Sequence, residues 1–360
     1  MEPRVFSKPR NFAEYILSQC ILAIKNGQDF STQSFQPIVS RMINSIQLRE
    51  TIAREQGVQI PAILYLAVTG ICNLTCSYCY NIGYPKRHMK FSLARQILAQ
   101  AYDLGISLVV VTGGEPLLFN EFFSIAKEMP DMAFLIFSNG VHVPTFLEKE
   151  SSSPNFFWAI SLDGPAECND IRRGSGTYDA AITAMDALRS RCLPFGFSAT
   201  VSVENLIPAT SFAFFNDMVA RGCRIAFLLE QTPISSCQAS MDFTLATRIA
   251  LLRESVSIPI VGFPTDEITY GGCQAARGLV QISPEGYVEP CPAVHIAVDS
   301  LEYLSLRQAL SNPFLKVFDR VKHCFMSREG SCLYHIESQR ELFQEGVAHY
   351  NTISTVRNCP

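Results

Sequence analysis

Six short apolar runs, spaced by turns and helical stretches, constrain this chain more than any other feature of its sequence. They read AILYLAVT (62–69), SLVVVTG (107–113), AFLIFS (133–138), FFWAISL (156–162), FGFSATVSV (195–203) and RIAFLLE (224–230). Helical spacing of apolar residues recurs between and after them, near 92–104, 120–128, 178–190, 207–221 and 243–254. A strand that is apolar at nearly every position must be covered on both faces, whereas a sheet with one wet face alternates. The pattern therefore predicts an α/β fold with a parallel sheet, a partial (β/α)6 TIM-like barrel shorter than the eight units of a complete one. Loops that follow such strands gather at one end of the sheet, where active sites are built.

The flanks differ from this centre. Residues 1–60 read as two N-terminal helices, FAEYILSQCILAIKNG and FQPIVSRMINSIQLRETIAREQG, with apolar residues three and four apart. After about residue 260 the alternation stops, and GGCQAARGLVQISPEGYVEPCPAVH reads as a hairpin turning at Pro284-Glu285-Gly286. A helical stretch (305–322) and a cysteine-containing tail follow. We divide the chain into a helical extension (1–60), a barrel (61–258) and a C-terminal segment (259–360).

Only 17% of residues are charged, and the mean hydropathy is +0.15, which excludes a disordered chain. A net charge of −4 without a basic run argues against nucleic acid or an anionic membrane as partner. No apolar stretch reaches the ~18 residues of a membrane span, and MEPRVFSKPRNFAEY lacks a signal-peptide core, so a cytoplasmic location is expected. Thirteen cysteines in 360 residues are too few for a disulfide scaffold. In a reducing compartment, clustered cysteines hold metal or do chemistry.

Directly after the first run, ICNLTCSYCYN sets Cys72, Cys76 and Cys79 in a C-x3-C-x2-C arrangement. Three thiolates this close can wrap one corner of a 4Fe–4S cluster and leave its fourth iron open to a ligand. The competing reading is a zinc knuckle, which wants a fourth Cys or His nearby. The nearest candidate, His88, sits in the charged stretch PKRHMK. The second run ends in Gly113-Gly114-Glu115-Pro116, whose glycines permit close backbone approach and whose carboxylate can accept from an ammonium group. By itself that tetrapeptide is also a turn opening a helix. The third run ends in Ser138-Asn139-Gly140, an ordinary turn dipeptide by itself. The fourth ends in Ser161-Leu162-Asp163-Gly164-Pro165, followed by NDIRRGSGTYD.

Together these strand ends resemble the radical SAM superfamily, in particular its members with SPASM or twitch extensions. The resemblance covers residues 61 to about 335. It implies that Cys72, Cys76 and Cys79 hold a 4Fe–4S cluster whose open iron is chelated by S-adenosylmethionine (SAM). Electron transfer then cleaves the sulfonium bond, and a 5′-deoxyadenosyl radical takes hydrogen from substrate. It further implies Tyr78 near the adenine, and Gly113, Gly114, Glu115 and Pro116 around the SAM amino group. Ser138 and Asn139 would face SAM, Ser161 and Asp163 the ribose or substrate, and Arg173 the SAM carboxylate, with Arg172 the alternative.

Cys273 and Cys291 stand at C-x12-G-x4-C around Gly286, which resembles the opening of a SPASM/twitch motif. With Cys332 and Cys324 they imply a small twitch/SPASM-like cap holding one auxiliary 4Fe–4S cluster; Cys324 could instead be structural, and a zinc-stapled hairpin is the alternative for the whole group. The shortened cap tilts the expected substrate towards a small metabolite that is oxidised or dehydrogenated. Peptide maturation is the alternative. A flavodoxin- or ferredoxin-type electron donor is implied in either case. Candidates for the group that accepts a substrate proton are Glu230, Tyr270, Glu289 and His295, chosen for their place at a strand end or beside the auxiliary cysteines. A non-catalytic iron–sulfur or zinc scaffold has no use for the GGEP and SLDGP motifs. An ordinary SAM methyltransferase would need a G-x-G-x-x-G loop after a strand, which is missing.

Overall fold

The computed structural model describes residues 9, 11–25, 32–150, 153–231, 242–322 and 349–350. All six expected runs are strands: β1 (Ile63–Thr69), β2 (Leu108–Gly113), β3 (Ala133–Ser138), β4 (Phe156–Ser161), β5 (Phe195–Val201) and β6 (Ala226–Glu230). Three more join the same sheet, namely β7 (Ile260–Phe263), β8 (Leu279–Ile282) and β9 (Val288–Glu289). Their order is β7-β6-β5-β4-β3-β2-β1-β8-β9, parallel throughout except for the antiparallel β8–β9 hairpin. The sheet curls into a partial barrel.

Six units were expected from the sequence, and two further parallel strands flank them. β7 is only four residues long, too short to register as a periodic run. β8 does not continue the winding. It crosses to the far edge and pairs with β1 from Ile63↔Leu279 to Leu66↔Ile282. The sheet therefore runs past residue 258, the expected end of the barrel segment. Two short helices, Val143–Lys149 and Ala166–Arg173, were also not anticipated, since about two turns give too little periodicity to read.

The two ends of the sheet are closed differently. Helices α1 (Phe12–Lys25) and α2 (Thr32–Gln56) pack at the amino ends of the strands. Cys20, Ala23, Ile24 and Met42 face Leu108, Ala133 and Phe195 across a small apolar cavity of about 30 Å³. Phe12, Leu17, Ile38 and Met42 of these two helices are buried, and transfer of each from water contributes roughly 1.5–3 kcal/mol. Phe122, Phe123, Phe134, Phe156 and the buried Trp158 meet neighbouring rings edge-on beneath the helices that cover β3 and β4. At the carboxyl ends the loops surround an open cavity.

Candidate functional site

Cys72, Cys76 and Cys79 all line that cavity, on the loop that leaves β1. Burial raises the pKa of each thiol, so the chain by itself favours protonated cysteines. The loop is stitched to the end of β2. Gly114 N–H donates to Thr69 O at 2.6 Å and Glu115 N–H to Ile71 O at 2.8 Å, while Asn81 Nδ2 donates to Gly113 O. A Cβ on Gly114 would lie 2.0 Å from Ile71 O, and one on Gly113 2.2 Å from Thr69 O. These glycines are demanded by the approach of two backbones. Both glycines also line the cavity, where the expected approach of a ligand would bring it against them.

Glu115 is buried beneath the same wall. Its carboxylate accepts from Ser138 Oγ at 2.8 Å, Asn139 N–H at 2.9 Å and Leu117 N–H at 3.3 Å. Burial pushes its pKa up to about 7, against the lowering effect of those three donors. Asn139 turns its side chain back to Asn73 at 2.8 Å, so the end of β3 is fastened to the cysteine loop. Glu115 and Asn139 line the cavity; Ser138 and Pro116 are buried behind it.

Asp163 is fully buried at the end of β4. It accepts from Arg173 Nη2 at 2.9 Å, Arg172 Nε at 3.2 Å, Thr200 N–H at 2.8 Å and the Tyr78 hydroxyl. Burial would raise its pKa, but Arg173, Tyr78 and Arg172 hold it below the usual carboxylate range. Four donors saturate a carboxylate. Asp163 is thus an internal anchor and does not line the cavity, where a contact with ribose or substrate was expected. Arg172 is consumed by Asp163, Ser202 and Thr200 O, and its guanidinium lies 4.2 Å above the Tyr78 ring. Arg173 reaches the cavity wall, and its buried Nε has no partner. The choice between the two arginines is therefore one of geometry, and Arg173 is the one facing inward.

The cavity has a volume of about 190 Å³. Beyond the expected residues it is lined by Tyr65, Tyr80, Asn81, Thr112, Phe137, Ser198, Thr200, Leu229, Phe263, Pro292 and Ala293. Strand-end position alone could have pointed to Thr112, Thr200 and Leu229. Nothing local marks Pro292 or Ala293. Among the described residues, no three His, Cys, Asp or Glu side chains converge on a single ion position. Three thiols lining one cavity suit a multi-iron body, and the unpartnered Nε of Arg173, which lines the same cavity, suits a carboxylate ligand. The residues present fit a cluster with a bound amino acid.

The four proton-acceptor candidates separate. Glu230, with Ser161, lies on the cavity wall. Tyr270 lies outside it, its ring stacked on Tyr15 at 4.5 Å next to the Arg253–Asp266 ion pair that ties α1 to β7. Glu289 and His295 are buried behind the cavity and bonded to each other at 3.0 Å. Cys273 and Cys291 are both buried, and Ala276 N–H donates to Pro290 O at 2.8 Å, which draws their two segments together. Cys324 and Cys332 lie outside the described residues.

Residues 66–206 match the family model described as the Radical SAM superfamily. The AdoMet-dependent heme synthase of Methanosarcina barkeri is 26% identical over 178 residues, 47% of this chain and 51% of that protein. Mycofactocin maturase MftC of Mycolicibacterium smegmatis is 29% identical over 266 residues, 67% of each chain. The chain spans about half the length of the first and two thirds of the second. Among solved structures, Streptococcus suis SuiB bound to precursor peptide SuiA superposes with a TM-score of 0.63 at 14% identity, over 87% of this chain and 80% of that one. That likeness shows the fold. With its strand-end motifs inside the matched residues and brought to one cavity, residues 66–206 carry the features of a radical SAM domain.

Proposed function

We propose that the chain cleaves SAM at a 4Fe–4S cluster held by Cys72, Cys76 and Cys79, and abstracts hydrogen from a peptide substrate. The observation that carries the chemistry is the single cavity shared by the three thiols, Glu115 and Arg173. Cys72, Cys76 and Cys79 would hold the cluster, which would supply the electron for reductive cleavage of SAM and so the means of hydrogen abstraction. The remaining work falls to side chains. Glu115, held near its point of titration by burial, is driven to its charged form by an ammonium group placed against it. Arg173 offers its Nε to a carboxylate while Asp163 fixes the guanidinium from behind. Tyr78, hydroxyl to Asp163 and ring under Arg172, gives a rigid face for a base. Phe137, Leu229 and Phe263 keep water from the floor.

Peptide over metabolite is favoured by the reach of the likeness, since the MftC alignment spans 266 residues and the heme synthase alignment 178. This reverses the tilt drawn from the short cap. A small metabolite remains the second reading, favoured by the heme synthase likeness. Cys273 and Cys291, with Cys332 and Cys324, are proposed to hold an auxiliary cluster.

Anaerobic reconstitution tests both clusters. Wild type is expected to bind about eight irons and a Cys72/Cys76/Cys79→Ala variant about four. Only wild type should form 5′-deoxyadenosine with dithionite and SAM. Four irons in wild type and none in the variant removes the auxiliary cluster. Zinc without deoxyadenosine overturns the enzyme reading.

A further inference from the structure

A buried polar cluster lies where the C-terminal hairpin meets the cysteine loop. Glu289 Oε2 on β9 accepts from the Tyr84 hydroxyl at 2.5 Å and from Gln281 Nε2 on β8 at 2.9 Å. His295 Nδ1 meets the same carboxylate oxygen at 3.0 Å and the Tyr84 hydroxyl at 2.9 Å. The other ring nitrogen, Nε2, lies 3.0 Å from the carbonyl oxygen of Tyr80. A carbonyl only accepts, so Nε2 carries a proton and donates it there. Glu289, His295, Tyr84 and Gln281 are each at most 3% exposed.

Tyr80 is the residue after Cys79, and it opens the single 3-10 turn Tyr80–Gly83. Its ring stacks against His295 on one side and lines the cavity on the other. Asn81 in the same turn holds Gly113 O at the end of β2. The turn that follows the third cysteine is thus gripped by the β2 end through Asn81 and by the hairpin through Tyr80 and Tyr84.

A buried carboxylate–imidazole pair adds little net stability over an apolar packing of equal volume, because desolvation offsets the attraction. What apolar packing could not do is hold a backbone carbonyl in a set direction. We propose that His295 and Glu289 are positioning residues for the three-cysteine loop, which fix the Tyr80 carbonyl and with it the direction of Cys79. They act through the peptide link and the hydrogen bond, from behind the cavity wall. The proposal rests on the reading of Cys72, Cys76 and Cys79 as cluster ligands, and it assigns to two proton-acceptor candidates a different task.

The test compares His295→Ala with His295→Gln, whose amide can still donate to Tyr80 O. Amide hydrogen exchange over residues 79–84 is measured in the iron-free full chain. The electron paramagnetic resonance spectrum of the dithionite-reduced, SAM-treated chain and its rate of iron loss to a chelator are measured after reconstitution. For His295→Ala, exchange in the turn should quicken by about tenfold or more. Iron should be lost on the order of tenfold faster, with an altered spectrum. His295→Gln should restore most of both. Wild-type exchange and wild-type spectrum in a folded His295→Ala overturn the proposal. If that variant does not fold, Tyr84→Phe decides, and unchanged exchange there overturns it as well. Faster exchange in a chain whose wild type binds no iron would sink the cluster reading while leaving the grip of His295 on the turn intact.

Discussion

The cavity mouth and the hairpin junction lie on either side of Tyr80, yet they are specified in opposite ways. At the mouth, Cys72, Gly114, Glu115, Asn139 and Arg173 stand within four consecutive strand ends, each inside a short motif. The junction joins Tyr84 to Glu289 and to His295 across 205 and 211 positions of chain. The mouth depends on backbone meeting backbone, with no room for a Cβ. At the junction, polar side chains bond one another in a dry interior, with Gln281 Oε1 and Glu289 Oε1 left without a partner. A backbone clash has few ways to relax, whereas a polar cluster that loses one member can rearrange its remaining donors.

The largest effect should fall on the mouth. Gly114→Ala places a methyl group 2.0 Å from Ile71 O, and a loss of about 4 kcal/mol or more is expected in denaturant unfolding. A midpoint near that of wild type would show that the loop yields, and would break the contrast between the regions.

Next comes Glu115, through its pH dependence. Its folded-state pKa is raised from 4.5 to about 7, so its contribution to stability is complete below 4.5 and is lost as pH climbs through 7. Between pH 5 and pH 8 the stability of Glu115→Gln, measured relative to wild type in the iron-free chain, should rise by about 2–3 kcal/mol. A difference that stays constant across that range means the carboxyl titrates normally.

Gln281→Leu probes the junction. It keeps volume and removes one donor from Glu289 and one from the Tyr84 hydroxyl, at a cost of about 1–2 kcal/mol. A cost equal to that of Gly114→Ala would erase the distinction between the two regions. Smallest of all, Tyr270→Phe should shift the unfolding midpoint by no more than about 0.5 kcal/mol and leave deoxyadenosine formation at the wild-type rate. Its ring stacks on Tyr15 outside the cavity. A tenfold drop in that rate would return Tyr270 to the list of proton acceptors.

Much of this was legible before the structure. Near-continuous apolar runs fixed six strands, because a fully buried strand leaves no other trace in sequence. The cysteine loop and the GGEP and SNG strand ends announced themselves through residue types in rigid spacing. Their purposes were only half legible. Gly113 and Gly114 serve the contact of β2 with the cysteine loop, and Asp163 serves Arg172, Arg173 and Tyr78.

The sequence by itself determined what can be encoded within one strand and its following loop: the parallel sheet, the thiol triad and the carboxyl beside it. Tertiary structure alone decided that β8 pairs with β1, that Arg173 faces inward and Arg172 does not, and that Pro292 and Ala293 reach the cavity. It also decided that Glu289 and His295 sit behind the wall while Glu230 lies on it. The reason is physical. Local propensity and spacing act over a few residues, but the direction of a side chain depends on which distant partner leaves a polar group unsatisfied, and no short stretch of chain records that.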